Sequence, residues 1–384
     1  MGSMKKILFC TPARLQKSLG HAKVIVELAE EMQVIGWDCD FVCPWDVAAS
    51  DDTDPSRNFS PRLKTYLKFH AGDYDVVDYD HAYLPYARSE FAPSPLFVAR
   101  SVLLALHLEK INIPSGDSIK SKIGMLVYGK QRNVARQRMI HQAQVTLEAA
   151  DLVNVSNDDD KSELVRRGMR AGKITVIPYG ISRSRRPLFD SVSSLPPMRP
   201  IVAFVGTFDY RKGAREFPLI VESIAQQVPD VRFRLLGVKG MLQTEKDVLG
   251  FFPKSLVDRL DTVLTYSPDD LPDLLKDCSV GVFPSYLEGF GFGVLEMLAA
   301  SIPVIAYEAP GPPMMLPYEY LVRRGNWKAL SQKVIALLQN RDDLGKARIW
   351  AKQRSQDFDW CQIAKVTSET YLEKLFEHRS KSIF

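Results

Sequence analysis

Two glutamates stand eight residues apart in a glycine-rich segment. Residues 284–305 read PSYLEGFGFGVLEMLAASIPVI, which is typical of a strand end, a glycine loop, a helix and the next strand. Alternating glycines allow a backbone to approach a ligand closely, and the amides that open a helix bind phosphate oxygens. Glu288 precedes the predicted helix and Glu296 lies one turn inside it. One carboxylate can therefore bind ribose hydroxyls while the other contacts a sugar. The alternative is a glycine-rich turn with two solvated glutamates.

A second segment supplies positive charge. Residues 205–213 read VGTFDYRKG and place Arg211 and Lys212 where a strand turns into a helix. Fixed cations stabilise a phosphate leaving group that gains negative charge as its bond breaks. A Lys-Arg pair at a helix start is also common on a solvated face.

The elements that must position these residues form two series. Short apolar strands that alternate with helices or loops predict a doubly wound parallel α/β fold, in two tandem Rossmann-like domains. The predicted strands are 7–10, 39–43, 75–80, 102–106, 152–156 and 174–178, then 201–206, 231–237, 262–266, 280–285 and 303–307.

The boundary between the two series is marked by composition. Proline, serine and methionine dominate residues 187–200, which cannot continue a helix. We therefore expect an N-terminal domain at 4–190, a linker at 191–200 and a C-terminal domain at 201–360. A length of 384 residues agrees with two hydrophobic cores.

The glycine-rich segment closely resembles the E-x7-E signature of family 4 of the retaining glycosyltransferases, also called glycosyl transferases group 1. The resemblance implies a GT-B fold, in which two Rossmann-like domains face a central cleft. By the same resemblance Glu296 binds the nucleotide ribose, Glu288 contacts the donor sugar, and Lys212 binds the diphosphate. Many members carry Arg where Thr207 stands here, so we expect Arg211 to supply that charge.

The resemblance continues through residues 150–182 and through DFDW at 357–360. It implies that a closing helix, 361–384, packs back on the N-terminal domain, where Trp360 and Tyr371 would find partners.

His107 and Gly20 are the candidates from the N-terminal domain. By the resemblance, a histidine that follows the corresponding strand lies beside the donor sugar and the acceptor, and His107 holds that position here. His21, beside Gly20, is a second candidate. The expected catalytic residues are Glu288, His107, Lys212 and Arg211. The expected donor contacts are Gly20, Gly206, Thr207, Arg211, Lys212, Tyr266, Glu288, Phe290, Gly291, Phe292, Gly293, Val294 and Glu296.

Substrates and cofactors follow from the resemblance. We expect a UDP-sugar donor, with UDP-glucose preferred, and transfer with retention to a saccharide or lipid-linked saccharide, in envelope polysaccharide or exopolysaccharide biosynthesis. No cofactor and no metal ion are expected, because helix ends and basic side chains can do a metal's electrostatic work. The modest net charge of +4 gives no sign of a nucleic-acid partner.

A basic segment at 118–147 offers a membrane surface. It carries lysines and arginines with interleaved apolar residues and no acidic residue before Glu148, which suits anionic lipid headgroups. The alternative is a solvated helix face with a buried apolar side. Five scattered cysteines fit a reducing cytoplasm, and no apolar run approaches the ~20 residues of a spanning helix. We expect a cytoplasmic protein that contacts the membrane peripherally.

Three other functions compete with transfer. A nucleotide-sugar epimerase can share the fold, but the E-x7-E spacing argues against it. A dinucleotide oxidoreductase needs G-x-G-x-x-G after the first strand, which TPARLQKSLG does not supply. A non-catalytic sugar-nucleotide-binding module stays open, since Thr207 could mark a weakened site.

Overall fold

The computed structural model describes residues 4–15, 20–111, 113 and 119–381, with side chains described for all of these except 20, 21, 119–132 and 381. The chain forms two compact units. The first contains residues up to Lys110, Tyr128–Gly180 and the C-terminal segment from Trp360, and the second contains Ile111–Val127 and Ile181–Asp359.

The first unit is a parallel sheet of six strands with helices between them. The strand order is β2-β1-β3-β4-β5-β6, and every pairing is parallel. Buried apolar runs such as Ile7–Phe9 are typical of strands covered on both faces. The elements are β1 (Lys5–Cys10), α1 (Gly20–Val34), β2 (Trp37–Val42), α2 (Phe59–His70), β3 (Val76–Asp80), β4 (Leu96–Ser101), α3 (Ile119–Ala149, which belongs to this unit from Tyr128 onward), β5 (Leu152–Val155), α4 (Asp158–Arg166) and β6 (Ile174–Val176).

The fourth strand lies earlier than the sequence predicted. β4 ends at Ser101, and the apolar residues 102–106 lead into a short 3-10 helix, Ala105–Glu109. The strand prediction at 102–106 was wrong because an apolar run indicates burial without fixing the backbone conformation. The true strand contains Arg100, which is buried and bonded to Asp78 on β3.

The second unit repeats the architecture. Its strand order is β12-β11-β10-β7-β8-β9, again entirely parallel. Its elements are α5 (Arg186–Asp190), β7 (Ile201–Val205), α6 (Phe217–Gln227), β8 (Arg232–Leu236), α7 (Glu245–Leu249), β9 (Leu260–Val263), α8 (Leu271–Leu275), β10 (Val280–Phe283), α9 (Phe292–Ala299), β11 (Val304–Tyr307), α10 (Pro312–Met315), β12 (Leu321–Val322), α11 (Trp327–Gln339) and α12 (Arg341–Ser355). The helix that follows them, α13 (Trp360–Lys381), belongs to the first unit.

Each sheet carries its own hydrophobic core, one in each unit. The second unit begins ahead of its first strand, since residues 181–190, with α5, belong to it. The predicted fold of two Rossmann-like parallel sheets is confirmed.

The last helix, α13, packs within the first unit against α1. The Trp360 indole donates a 2.7 Å hydrogen bond to Glu27 on α1. The buried Tyr371 hydroxyl donates to Asp78 Oδ2 at 2.6 Å and accepts from Arg100 Nη2 at 2.8 Å. The predicted return of the closing helix to the N-terminal sheet is confirmed, and both aromatic residues have partners.

Candidate active site

The glycine loop before α9 has a conformation that requires glycine. Gly291 caps the helix with a φ of 92°, in the left-handed region. A Cβ on Gly293 would lie 2.5 Å from the Val205 carbonyl oxygen, so the start of α9 packs directly on the end of β7. The positive end of α9 therefore lies at the carboxyl end of β7, where parallel α/β sheets bind ligands.

A turn after β7 lies against this loop. Residues Tyr210–Lys212 form a short 3-10 helix, and the Tyr286 amide donates to the Arg211 carbonyl at 2.8 Å. Gly213 has a φ of 86°, and a Cβ there would lie 2.5 Å from the Pro284 carbonyl oxygen. The structure thus brings the two segments singled out from the sequence into direct contact.

Three charged side chains meet at the junction. Glu288 is 6% exposed. Its Oε1 lies 2.6 Å from Lys212 Nζ and 3.3 Å from Arg211 Nη1. Arg211 Nη1 also donates to the Leu287 carbonyl at 2.8 Å. Two cations therefore contact one carboxylate beside the glycine loop.

The pKa values of this cluster reflect burial and mutual attraction. Burial acts to raise the pKa of the Glu288 carboxyl, but the Lys212 and Arg211 charges outweigh it and hold that pKa below its usual value. Burial lowers the pKa of the Lys212 ammonium, and Glu288 offsets only part of this effect. The charge of Lys212 thus depends on its carboxylate partner.

Thr207 has a structural partner within the turn after β7. Its hydroxyl donates to Asp209 Oδ2 at 2.7 Å, and Asp209 Oδ1 accepts from the Lys212 amide at 3.0 Å. Asp209 is therefore the N-cap of the turn that carries both cations. Sequence reasoning missed Asp209, although an Asp three residues before the Lys at a helix start is a capping signal.

Glu296 has a cationic partner that sequence reasoning also missed. It is 7% exposed on α9, and its Oε1 accepts from Arg185 Nη2 at 3.0 Å. Nothing in the sequence singled out Arg185, because it lies in a basic stretch, SRSRRP, without motif spacing.

Tyr266 lies near the same carboxylate. Burial, followed by the charge of Glu296, raises the pKa of its phenol. A Cβ on Gly237, where φ is 74°, would lie 3.0 Å from the Tyr266 ring, so β8 ends closely against it. Tyr266 and Glu296 therefore belong to one neighbourhood within the second unit.

Aromatic residues pack behind the glycine loop. The ring of Phe290 lies 5.4 Å from that of Phe292 and 5.8 Å from that of Phe358, and Phe290 is buried. Val294 is buried in the first turn of α9. Any ligand contact from the buried Phe290 and Val294 would come from their backbone, whereas Phe292 is partly exposed. Gly206, with a φ of 149°, ends β7 beside the Lys212 side chain.

His107 belongs to the first unit and has a partner there. Its Nε2 lies 2.7 Å from Asp160 Oδ1, and Asp160 is fully buried. Burial raises the pKa of the Asp160 carboxyl against the influence of His107. Gly20 is the first residue of α1, and the side chain of His21 lies outside the described residues. Roles for His107 and Gly20 at the donor sugar remain predictions.

The basic segment is described only in part. α3 runs through it, but the side chains of Lys120, Lys122, Lys130 and Arg132 lie outside the described residues. Arg136 donates to the Leu108 carbonyl. Membrane contact therefore remains a prediction. Within the ranges that the structure describes, no helix is long and apolar enough to span a bilayer.

Three acidic residues elsewhere have protein partners. Asp78 is bonded to Arg100, Asp160 to His107, and Asp357 to Arg354 at 2.6 Å. Among the described residues, no group of three or more His, Cys, Asp or Glu side chains is arranged to hold a metal ion. Metal independence remains a prediction for the assay.

Relatives and solved structures are similar to this chain at low identity. The sulfoquinovosyl transferase SQD2 of Arabidopsis thaliana is 24% identical over 253 residues, which are 61% of this chain and 47% of that protein. The D-inositol 3-phosphate glycosyltransferase of Nocardia farcinica is also 24% identical, over 62% of this chain and 56% of its own length. The chain thus spans about half the length of these curated relatives.

Two solved structures cover nearly the whole chain. Sucrose-phosphate synthase of Thermosynechococcus elongatus superposes with a TM-score of 0.72 at 21% identity, over 96% of this chain and 98% of that one. HepE of Anabaena, solved with UDP, superposes with a TM-score of 0.65 at 16% identity, over 96% of this chain and 100% of that one. At such identities the likeness concerns the fold alone.

The fold and one segment of the sequence match known proteins. Its two parallel six-stranded sheets match the GT-B architecture of these structures. The family model described as "Glycosyl transferases group 1" matches residues 186–355, and that part of the chain is therefore a glycosyl transferases group 1 domain.

Proposed function

We propose that this protein is a retaining glycosyltransferase that moves a hexose from a nucleotide sugar, with UDP-glucose preferred, to a saccharide acceptor. The observation that carries the proposal is the charged junction in the second unit. Lys212 and Arg211 lie 2.6 and 3.3 Å from the Glu288 carboxylate, next to the positive end of α9. A nucleoside diphosphate sugar has the matching chemistry, with a dianionic diphosphate beside a hydroxyl-bearing ring.

The two cations and the helix end would stabilise the leaving group. As the bond between the anomeric carbon and the phosphate oxygen breaks, negative charge grows on the diphosphate. Lys212 is the more buried cation, with 13% of its side chain exposed against 30% for Arg211. Because electrostatic attraction is stronger where water is excluded, Lys212 would contribute more than Arg211.

The proposed transfer takes place on one face of the sugar. The acceptor oxygen bonds to the anomeric carbon from the side that the phosphate oxygen leaves, and the departing phosphate oxygen takes the acceptor proton. The products are a glycoside with retained anomeric configuration and a nucleoside diphosphate. Glu288 and His107 would orient the sugar, and Glu296 would bind the ribose.

The substrates are proposed from the same chemistry and from the relatives. HepE has been solved with UDP-glucose, and the outer core galactosyltransferase WaaB, a lipopolysaccharide enzyme, superposes with a TM-score of 0.63. We therefore favour a UDP-hexose donor and a saccharide or lipid-linked saccharide acceptor in envelope polysaccharide or exopolysaccharide assembly. The basic segment 118–147 would hold the enzyme at the cytoplasmic face of an anionic membrane.

A donor screen followed by a turnover assay tests the proposal. Thermal shifts are measured with UDP-, GDP- and ADP-sugars, and the donor that stabilises most is then assayed for hydrolysis and for transfer to saccharides. We expect stabilisation by a UDP-hexose, release of UDP, and a product whose anomeric proton coupling matches the donor. Binding without release of UDP would instead favour a non-catalytic module, and donor isomerisation without an acceptor would favour an epimerase.

A further inference from the structure

Arg185 is a buried guanidinium whose bonding capacity the protein uses only in part. Its side chain is 4% exposed. Nη2 donates to Glu296 Oε1 and to the Pro268 carbonyl, each at 3.0 Å. Nε lies 3.9 Å from Asp269 Oδ1, beyond hydrogen-bonding distance. Among the described residues, neither Nε nor Nη1 has a hydrogen-bond partner. Burying charged donors without partners is unfavourable.

A second buried arginine in the same unit shows what a purely structural guanidinium looks like here. Arg348, on α12, is fully buried, and all three of its nitrogens donate to backbone carbonyls. These acceptors belong to Ser194, Cys278 and Ser193. Arg185 differs because its unused donors lie beside a carboxylate of the candidate active site.

We propose that Arg185 is a nucleotide-binding residue of the donor site. Nη2 fixes the Glu296 carboxylate, and Nη1 donates to an acceptor oxygen of the nucleoside, on its base or ribose. The nucleoside half of the ligand is the matching partner because Arg185 bonds to Glu296, whereas the phosphate cations bond to Glu288. This inference rests on the proposed function, in which Glu296 binds the ribose.

Calorimetry with UDP and UMP tests the contact and its position. Arg185→Met removes the donors while it keeps the side-chain length, and Arg183→Met, at an exposed position of the same loop, is the matched control. We expect Arg185→Met to weaken the binding of UDP and the binding of UMP by a similar factor, about tenfold or more. Lys212→Met should weaken the binding of UDP more than that of UMP, because Lys212 is proposed to contact the diphosphate. Circular dichroism melts of each variant verify that the fold is retained.

A double-mutant cycle separates a direct contact from an effect through Glu296. In a Glu296→Gln background, the loss caused by Arg185→Met should persist. A loss that vanishes in that background would mean that Arg185 acts only by positioning Glu296, which overturns the proposal. Unchanged UDP affinity in Arg185→Met, or a loss for UDP without one for UMP, also overturns it. Failure of the unmodified protein to bind any nucleotide would overturn the proposed function itself, so the two failures are distinct.

Discussion

Replacing Glu288 with Gln should separate sugar chemistry from nucleotide binding. The substitution keeps the size and an acceptor oxygen but removes the negative charge of Glu288, which contacts Lys212 and Arg211. A unit charge about 5 Å from the positive charge that develops on the sugar is worth about 3 kcal/mol at an effective dielectric constant of about 20. Turnover should therefore fall by about a hundredfold.

At a pH where Lys212 keeps its proton, the same substitution should leave UDP binding intact or slightly tighter, because both cations are then free of the Glu288 carboxylate. Its pH dependence should change in a defined direction. Burial lowers the pKa of Lys212, and Glu288 opposes that effect. Without Glu288 the pKa of Lys212 falls further, so the loss of UDP affinity at high pH should begin at a lower pH than in the unmodified protein.

Calorimetry against pH and a steady-state assay for UDP release measure both effects. Glu222→Gln, at an exposed position on α6, is the matched control and should change neither quantity. Unaltered turnover in Glu288→Gln would refute the role of this carboxylate. UDP affinity more than about tenfold weaker would refute the view that Glu288 competes for the cations.

Four further outcomes are expected. Lys212→Met should lower kcat/KM by roughly 100- to 1,000-fold and Arg211→Met by less, because Arg211 is more exposed; equal effects would contradict this order. Glu296→Ala should weaken UDP binding in calorimetry by about tenfold or more, and an unchanged dissociation constant would exclude the ribose contact. Gly293→Ala should lower the melting temperature of the second unit, since its Cβ would meet the Val205 carbonyl oxygen at 2.5 Å, and an unchanged melt would argue against the close helix start. A chelator should leave transfer unaffected; activity that is lost and then restored by Mg²⁺ would disprove metal independence.

The sequence was most informative where backbone geometry restricts residue type. The glycine loop before α9 could be placed because few residues tolerate the conformation of Gly291 or the closeness of Gly293 to Val205. The basic turn at 205–213 was identified for a different reason, because its Arg211 and Lys212 stand where a strand turns into a helix. The two segments meet in the structure.

Long-range partners were harder to predict. Arg185 and Glu296 are 111 residues apart, and no spacing along the chain reports such a contact. β4 was misplaced for a related reason, because Arg100 on that strand is buried together with its partners Asp78 and Tyr371, which lie far from it along the chain. The hydropathy of the sequence does not predict buried charge pairs, because each charged residue alone is typical of a protein surface.

The return of α13 to the first unit bears on how the chain is synthesised. The buried pair of Asp78 and Arg100 is completed by Tyr371, which leaves the ribosome only after the whole second unit. Domains usually fold in the order of their synthesis. Here all the strands of the second unit lie in one continuous segment of the chain, so its sheet can form before α13 is synthesised. Until then the Asp78–Arg100 pair of the first unit lacks its hydrogen bonds to Tyr371. Nascent first units therefore depend on the translation of the final helix for their full stability.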